Sequence, residues 1–179
     1  ISLGGIVRSK NLKIAGDKLN EDIMGYIRNE FKILIGEKTA EDVKIAIGSV
    51  IPQQEPLESA IRGRDLVTGL PREVILTDSD IREAIAHSIA SLIDSTKEVL
   101  ESTPPEILAD VMKRGIHLAG GGALIKGLAE LLQEELEIPV YVAHEPLTAV
   151  ARGTGIILEN IEKYQDVLIE KEDDLPPKK

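Results

Sequence analysis

Residues 115–142 carry the strongest constraint on the fold. Ile116-His117-Leu118-Ala119 is a short apolar run of strand character, and Gly120-Gly121-Gly122 interrupts it. Leu124, Leu128, Leu131, Leu132 and Leu136 then recur at helical steps, and Pro139-Val140-Tyr141-Val142 is a second apolar run. A strand that passes through a glycine turn and a helix to a further strand is a crossover, the building unit of α/β proteins. Elsewhere strands pair as hairpins, so the expected architecture is an α/β lobe with the middle third of the chain inserted as a smaller α+β unit.

What fills such a lobe follows from composition. The chain of 179 residues is 42% hydrophobic but only 2% aromatic, so Ile, Leu, Val and Ala must make the core of one domain or of two joined lobes. With no cysteine there are no disulfides and no thiolate metal ligands. A net charge of −10, from 21 basic and 31 acidic side chains, offers no basic footprint for nucleic acid and no polybasic membrane anchor. Scarce aromatics also leave little material for stacking bases. No apolar run approaches the ~20 residues needed to span a bilayer, and no export signal opens the chain. These features predict a soluble cytoplasmic protein. The first residue is Ile1, not Met, and Ile1-Ser2-Leu3 reads as the end of a strand entering a Gly4-Gly5 turn, which predicts that the natural chain begins earlier.

The remaining elements follow from periodicity and punctuation. Residues 6–14 alternate in their second half as a half-buried strand does, forming a hairpin with residues 1–3. Leu19, Ile23, Tyr26, Ile27, Phe31 and Leu34 predict an amphipathic helix ending near Gly36, with Asp17 as its N-cap. Thr39-Ala40-Glu41-Asp42 fits a capping box opening a short helix to about Ile47, which Gly48 closes. Residues 57–66 and 73–76 predict two strands around Thr68-Gly69-Leu70-Pro71. Thr77-Asp78-Ser79-Asp80 is another capping box, and Ile81, Ile85, Ile89, Leu92, Ile93 and Leu100 mark a long helix that Pro104-Pro105 must end. Thr103 with Glu106 caps a further helix that Gly115 terminates. A last helix runs from Pro146 through Ile161, and residues 170–179 read as a mobile charged tail.

Three places suggest chemistry. The triple glycine lets a ligand approach the backbone closely, but neither a Walker Lys-Ser/Thr nor the dinucleotide spacing accompanies it, since Ile125 stands where a Gly or Ala is required. Spacing alone leaves a tight structural turn equally open. Glu41 and Lys44 share one helix face and offer an acceptor and a donor to a ribose or base edge, and the alternative is a solvated ion pair. Gly16-Asp17 reads as a helix-opening turn or as a ribose contact. His87, His117 and His144 show no metal-ligand spacing, and no hydrolase elbow is present. Gly153 and Gly155 interrupt an otherwise good helix, either for close packing or at a hinge between lobes.

Ile14-Ala15-Gly16-Asp17, residues 35–41, Gly69-Leu70-Pro71-Arg72, Thr103-Pro104-Pro105-Glu106, Arg114-Gly115-Ile116, Gly120-Gly121-Gly122-Ala123-Leu124 and residues 145–153, in this order and spacing, resemble the MreB family of bacterial actins. The resemblance spans nearly the whole chain. It implies an actin/Hsp70-like ATPase fold of ribonuclease H-like lobes, of which this chain is the second. Residues 1–16 with 81–150 would form the larger nucleotide-binding subdomain, 17–80 the inserted smaller one, and 151–169 an interlobe helix. Two phosphate-binding Asp-x-Gly hairpins would lie upstream, the second just before Ile1.

By the same resemblance Gly120, Gly121, Gly122, Ala123 and Leu124 lie along adenosine, Glu41, Asp42, Val43 and Lys44 meet its base and ribose edge, and Gly16 and Asp17 sit nearby. Asp42 departs from the Arg common at its position, and Ala119 from a frequent Thr. The cofactor implied is ATP with Mg²⁺, bound by the intact protein, and this fragment is expected not to hydrolyse ATP alone. Implied partners are further copies in filaments and the membrane proteins of the cell-wall synthesis (rod) complex, at the inner face of the membrane, with membrane contact made through the missing lobe or partners. The rival readings are a sugar-kinase-like or Hsp70-like ATPase lobe and a non-nucleotide interaction module. Only a short charged tail follows Tyr164, which disfavours a chaperone.

Overall fold

A computed structural model describes residues 1–2, 4–165 and 168. Helix α1 (Gly16–Glu30) forms because Leu19, Ile23 and Ile27 return to one side and are all buried. Its N-cap is Ala15, without a side-chain cap, and Asp17 stands in the first turn. The helix stops at Phe31 and does not run to Gly36. Lys32 takes a left-handed φ of 56°, and the next two residues become β1 (Ile33–Leu34). Sheet pairing overrides the helical spacing of Phe31 and Leu34, since β1 completes a sheet and buries Ile33 entirely.

Helix α2 (Glu37–Ile47) opens at Gly36, whose backbone is extended, so Thr39 lies within the first turn and the expected box at Thr39 does not form. Strands β2 (Glu58–Asp65) and β3 (Pro71–Thr77) make an antiparallel hairpin with Ile61 opposite Val74, and β1 pairs along the other edge of β2. A Cβ at Gly63 would fall 2.3 Å from Ile33 Cγ2 and 2.4 Å from the Leu34 carbonyl, so only glycine lets β1 approach there. The hairpin tip is organised by Asp65, whose carboxylate accepts from the amides of Val67 and Thr68, each at 2.8 Å, and from Arg72 at 3.1 Å.

The capping box at Thr77 forms as predicted. The Asp80 carboxylate accepts from the Thr77 amide at 2.8 Å, and the Thr77 hydroxyl accepts from the Asp80 amide at 3.3 Å, opening α3 (Asp78–Glu101). Ile81, Ile85, Ile89 and Ile93 form its buried stripe. Helix α4 (Pro105–Arg114) is entered through Pro104 with Pro105 in its first turn, and Gly115 ends it. Thr103 does not cap it, because its hydroxyl donates back to the Val99 carbonyl at 2.7 Å.

Strand β4 (Ile116–Leu118) pairs in parallel with β5 (Val140–Val142), and α5 (Leu128–Leu136) crosses between them. This is the crossover that the apolar runs predict. One continuous core joins Leu19, Ile23 and Ile27 of α1 to Ile61, Leu76, the α3 stripe, Leu128, Leu132 and Val140. The final helix, α6 (Ala149–Glu159), begins three residues beyond Pro146 and buries none of its residues.

Residues 6–14 form no strand. A single bridge joins Ser2 to Gly5, and among the described residues no partner lies alongside 6–14 to take up its amides. Residues 170–179, expected to be a mobile tail, lie outside the described residues, as do 166, 167 and 169 of the expected interlobe segment.

Candidate functional site

Where α1 and α2 pack together, four groups close a polar cluster. Asn20 lies in the buried stripe of α1 at 3% exposure. Its Nδ2 donates to Glu41 Oε2 at 2.8 Å, and its Oδ1 accepts from Lys44 Nζ at 2.9 Å. Lys44 Nζ also donates to Glu41 Oε2 at 2.5 Å and to the Gly16 carbonyl at 3.2 Å. An ammonium has three donors, so these acceptors use all of them. Lys44 Nζ lies close against Gly16, 3.4 Å from where a Cβ would stand, which is ordinary van der Waals contact.

The two charges of this ion pair differ in their surroundings. The Lys44 side chain is 9% exposed, whereas that of Glu41 is 43% exposed. The pair is thus neither a wholly solvated surface bridge nor a free donor–acceptor edge. Hydrogen bonds from Lys44 first, and from Asn20 second, hold the Glu41 carboxyl below the usual carboxylate range, against the opposing effect of burial. Both bonds fall on Oε2, and among the described residues nothing donates to Oε1. The chemistry on offer is an ionised carboxylate with one oxygen fixed and the other available to a donor. Asp42 is exposed beside it, Val43 is buried in the core at 2%, and Asp17 is exposed at the start of α1.

The glycine turn is the second component. Gly120 has a left-handed φ of 83°, and its amide donates to the Pro146 carbonyl at 2.8 Å. Residues Gly121–Leu124 form one turn of 3₁₀ helix, with Ala123 buried and Leu124 exposed. The expected α-helix does not start here. Gly127, at φ 80°, resets the chain so that α5 begins at Leu128, and a Cβ at Gly127 would strike Ile51 Cγ1 at 2.2 Å. Beside Gly120 and Gly122 an added Cβ would meet nothing within 4 Å, while at Gly121 it would lie 3.4 Å from Leu147 Cδ2. Leu147 is itself 69% exposed and borders this face of the glycine turn.

A strap connects the two components. Ser49 bridges in parallel to Lys126, the Val50 amide donates to the Lys126 carbonyl at 2.9 Å, and Lys126 Nζ donates to the Ala46 carbonyl at 2.7 Å. The C-terminal end of α2 is therefore bound to the segment that directly follows the glycine turn. No hydrogen bond runs from Glu41 or Lys44 to Gly120, Gly121, Gly122, Ala123 or Leu124 themselves. A shallow apolar concavity of about 170 Å³ between α3 and α5, lined by Val50, Ile89, Ile93 and Leu131 among others, contains none of these groups. Among the described residues no cluster of His, Asp or Glu is arranged to hold a metal ion.

Asn20 escapes the sequence-level reading of the site. Its one signal is a polar residue in an apolar stripe, three before Ile23 and seven before Ile27.

Comparison with known proteins places these features in a family. A family model described as MreB/Mbl protein matches residues 1–166. The chain is 49% identical over 163 residues to the cell shape-determining protein Mbl of Bacillus subtilis, covering 91% of this chain and 49% of that protein. MreB5 of Spiroplasma citri, solved bound to ADP and to AMPPNP, superposes with a TM-score of 0.86 at 39% identity, over 90% of this chain and 49% of that one. The MamK double helical filament superposes with a TM-score of 0.71 at 25% identity, over 83% of this chain and 45% of that one. The chain spans about half the length of the curated relatives it matches.

Proposed function

The chain belongs to the MreB/Mbl family of cell shape-determining, actin-like proteins, and on that premise we propose that it is the second lobe of a nucleotide-clamping, filament-forming ATPase and grips the adenosine end of ATP. The observation that carries this reading is the cluster in which Lys44 and Asn20 fix one oxygen of an ionised Glu41 and leave the other open. A carboxylate accepts well from sugar hydroxyls and repels phosphates, so the cluster fits the nucleoside and not the polyphosphate. Glu41 receives a ribose hydroxyl. Lys44, with every donor committed, keeps Glu41 charged and oriented.

The turn at Gly120, Gly121 and Gly122 offers backbone without side chains, along which a flat base can lie, with Leu147 as an apolar border. Ala123 and Leu124 continue that surface, and Gly16, Asp17 and Asp42 rim the ribose side. Bound Mg²⁺–ATP supplies the scissile phosphoanhydride, and the groups that hold metal and phosphates belong to the other lobe of the intact protein. The ADP- and AMPPNP-bound MreB5 structures support a nucleotide at this lobe, and the MamK filament supports head-to-tail self-association. The setting we propose is the cytoplasmic face of the membrane, where such filaments organise cell-wall synthesis with membrane partners.

Calorimetric titration of the intact protein with ADP tests the reading. Glu41→Gln keeps the shape and removes the charge, and a hydrogen bond to a charged acceptor accounts for about ten-fold or more in affinity. We expect ADP to bind at least that much more weakly, with the far-ultraviolet dichroism unchanged. Equal affinity in both proteins would overturn the assignment of Glu41.

A further inference from the structure

Counting back from Ile27 and Ile23 in helical steps lands on Asn20, so the geometry of α1 turns this side chain inward at a position where an aliphatic residue would add to the core. A polar group kept there, at 3% exposure, needs its partners, and it has two of opposite kind. Its amide orientation is dictated by them. The NH₂ must face the Glu41 carboxylate and the oxygen must face the Lys44 ammonium, because the reverse orientation would set donor against donor and acceptor against acceptor. The carboxamide donates to the anion and accepts from the cation through two separate atoms, each held in a fixed direction.

We propose that Asn20 is a positioning residue for ribose recognition: by holding Glu41 Oε2 from the α1 side it turns Oε1 outward, and so sets how strongly the site prefers a ribonucleotide over a deoxyribonucleotide. This rests on the reading of Glu41 given above. Without Asn20, Glu41 keeps a single tether among the described residues, Lys44 on its own helix, and the only link from that ammonium to α1 is the 3.2 Å bond to the Gly16 carbonyl. With Asn20 the carboxylate is fixed between two helices. Asp at the same position keeps an acceptor for Lys44 but cannot donate, and it sets a second negative charge beside Glu41, which pushes that carboxylate out of its place. Leu fills the space and removes both bonds.

The intact protein, as wild type, Asn20→Asp and Asn20→Leu, would be titrated calorimetrically with ADP, 2′-deoxy-ADP and 3′-deoxy-ADP. Wild type is expected to bind ADP about ten-fold or more tightly than at least one of the deoxy forms. In both variants that ratio should fall towards one. A purely structural role would weaken all three ligands in proportion and leave the ratio unchanged, and an unchanged ratio in Asn20→Asp overturns the proposal even where Asn20→Leu fails to fold. The two readings fail differently. Wild type that binds no ADP, or does not distinguish it from either deoxy form, refutes the role given to Glu41 and this inference with it, whereas discrimination that survives in Asn20→Asp refutes this inference alone.

Discussion

Asp65 sets the shape of the β2–β3 tip by accepting from two amides of its own turn and from Arg72. The backbone bonds from Thr68 and Val67 come first among the causes that draw its pKa down from 3.8 to about 2, with burial acting against them. A folded-state pKa below the unfolded value means that the unfolded chain binds the proton more readily. The stabilisation is therefore complete above the ordinary carboxylate pKa and is lost as pH falls through about 2. Denaturant melts of the wild type should show stability declining over that interval, and Asp65→Asn should be less stable at neutral pH with a shallower decline. Superimposable pH profiles would refute the assignment. The Gly69-Leu70-Pro71-Arg72 motif is thus explained by the turn it closes, since Arg72 reaches back to Asp65. The same contrast holds at the cluster. The three-residue spacing of Glu41 and Lys44 is legible along one helix, but the contact with Asn20 crosses from α1 to α2 and has no fixed separation in sequence.

Among the elements, two glycines separate local propensity from tertiary fit. Gly25 sits mid-way along α1, and an added Cβ would meet nothing within 4 Å. Gly25→Ala should raise stability by about 0.5–1 kcal/mol, because alanine loses less backbone entropy on entering a helix. Gly63 lies in β2 under β1, where a Cβ would overlap Ile33 and the Leu34 carbonyl. Gly63→Ala should lower stability by about 1–3 kcal/mol as β1 is forced off the sheet. Urea melts of both variants check the pair, and equal effects would show that β1 is not held as described. This difference also explains which elements the sequence reveals. The α3 helix, with its capping box and four-isoleucine stripe, is specified locally and is read correctly. By contrast β1 is two residues long, continues the helical spacing of α1, and exists only because β2 offers it an edge. Residues 6–14 show the converse, a strand-like pattern that finds no strand partner among the described residues, although Arg8 and Lys10 reach Ser102 and Glu98 at the C-terminal end of α3. The glycine turn is legible as a turn, but Gly127, which delays α5, is understood only once Ile51 is seen against it.

For the whole molecule, the chain spans about half the length of its curated relatives and exposes a helix with no buried residue. Val150, Ile156 and Leu158 on α6 are 73%, 53% and 65% exposed, an apolar surface out of keeping with a solvated helix. Gly153 and Gly155 sit within it, and an added Cβ at either would meet nothing within 4 Å. Close packing against the described residues therefore does not account for these glycines, whereas the expected interlobe helix would set them against the rest of the intact protein. The two accounts predict opposite signs for one substitution. In the 179-residue chain, Gly153→Ala should be neutral or stabilising by up to about 1 kcal/mol, since it improves helix propensity at an open site. In the intact protein a methyl group driven into a close helix contact should destabilise by about 1–3 kcal/mol. Paired thermal melts of the chain and of the intact protein, each with and without Gly153→Ala, read the two signs directly. A gain in both would mean that α6 faces solvent in the intact protein too, and the interlobe role would fall. A loss in the intact protein alone would identify α6 as the surface through which this lobe meets the remainder of the molecule, and would explain why a helix so apolar carries glycine where alanine is the better helix former.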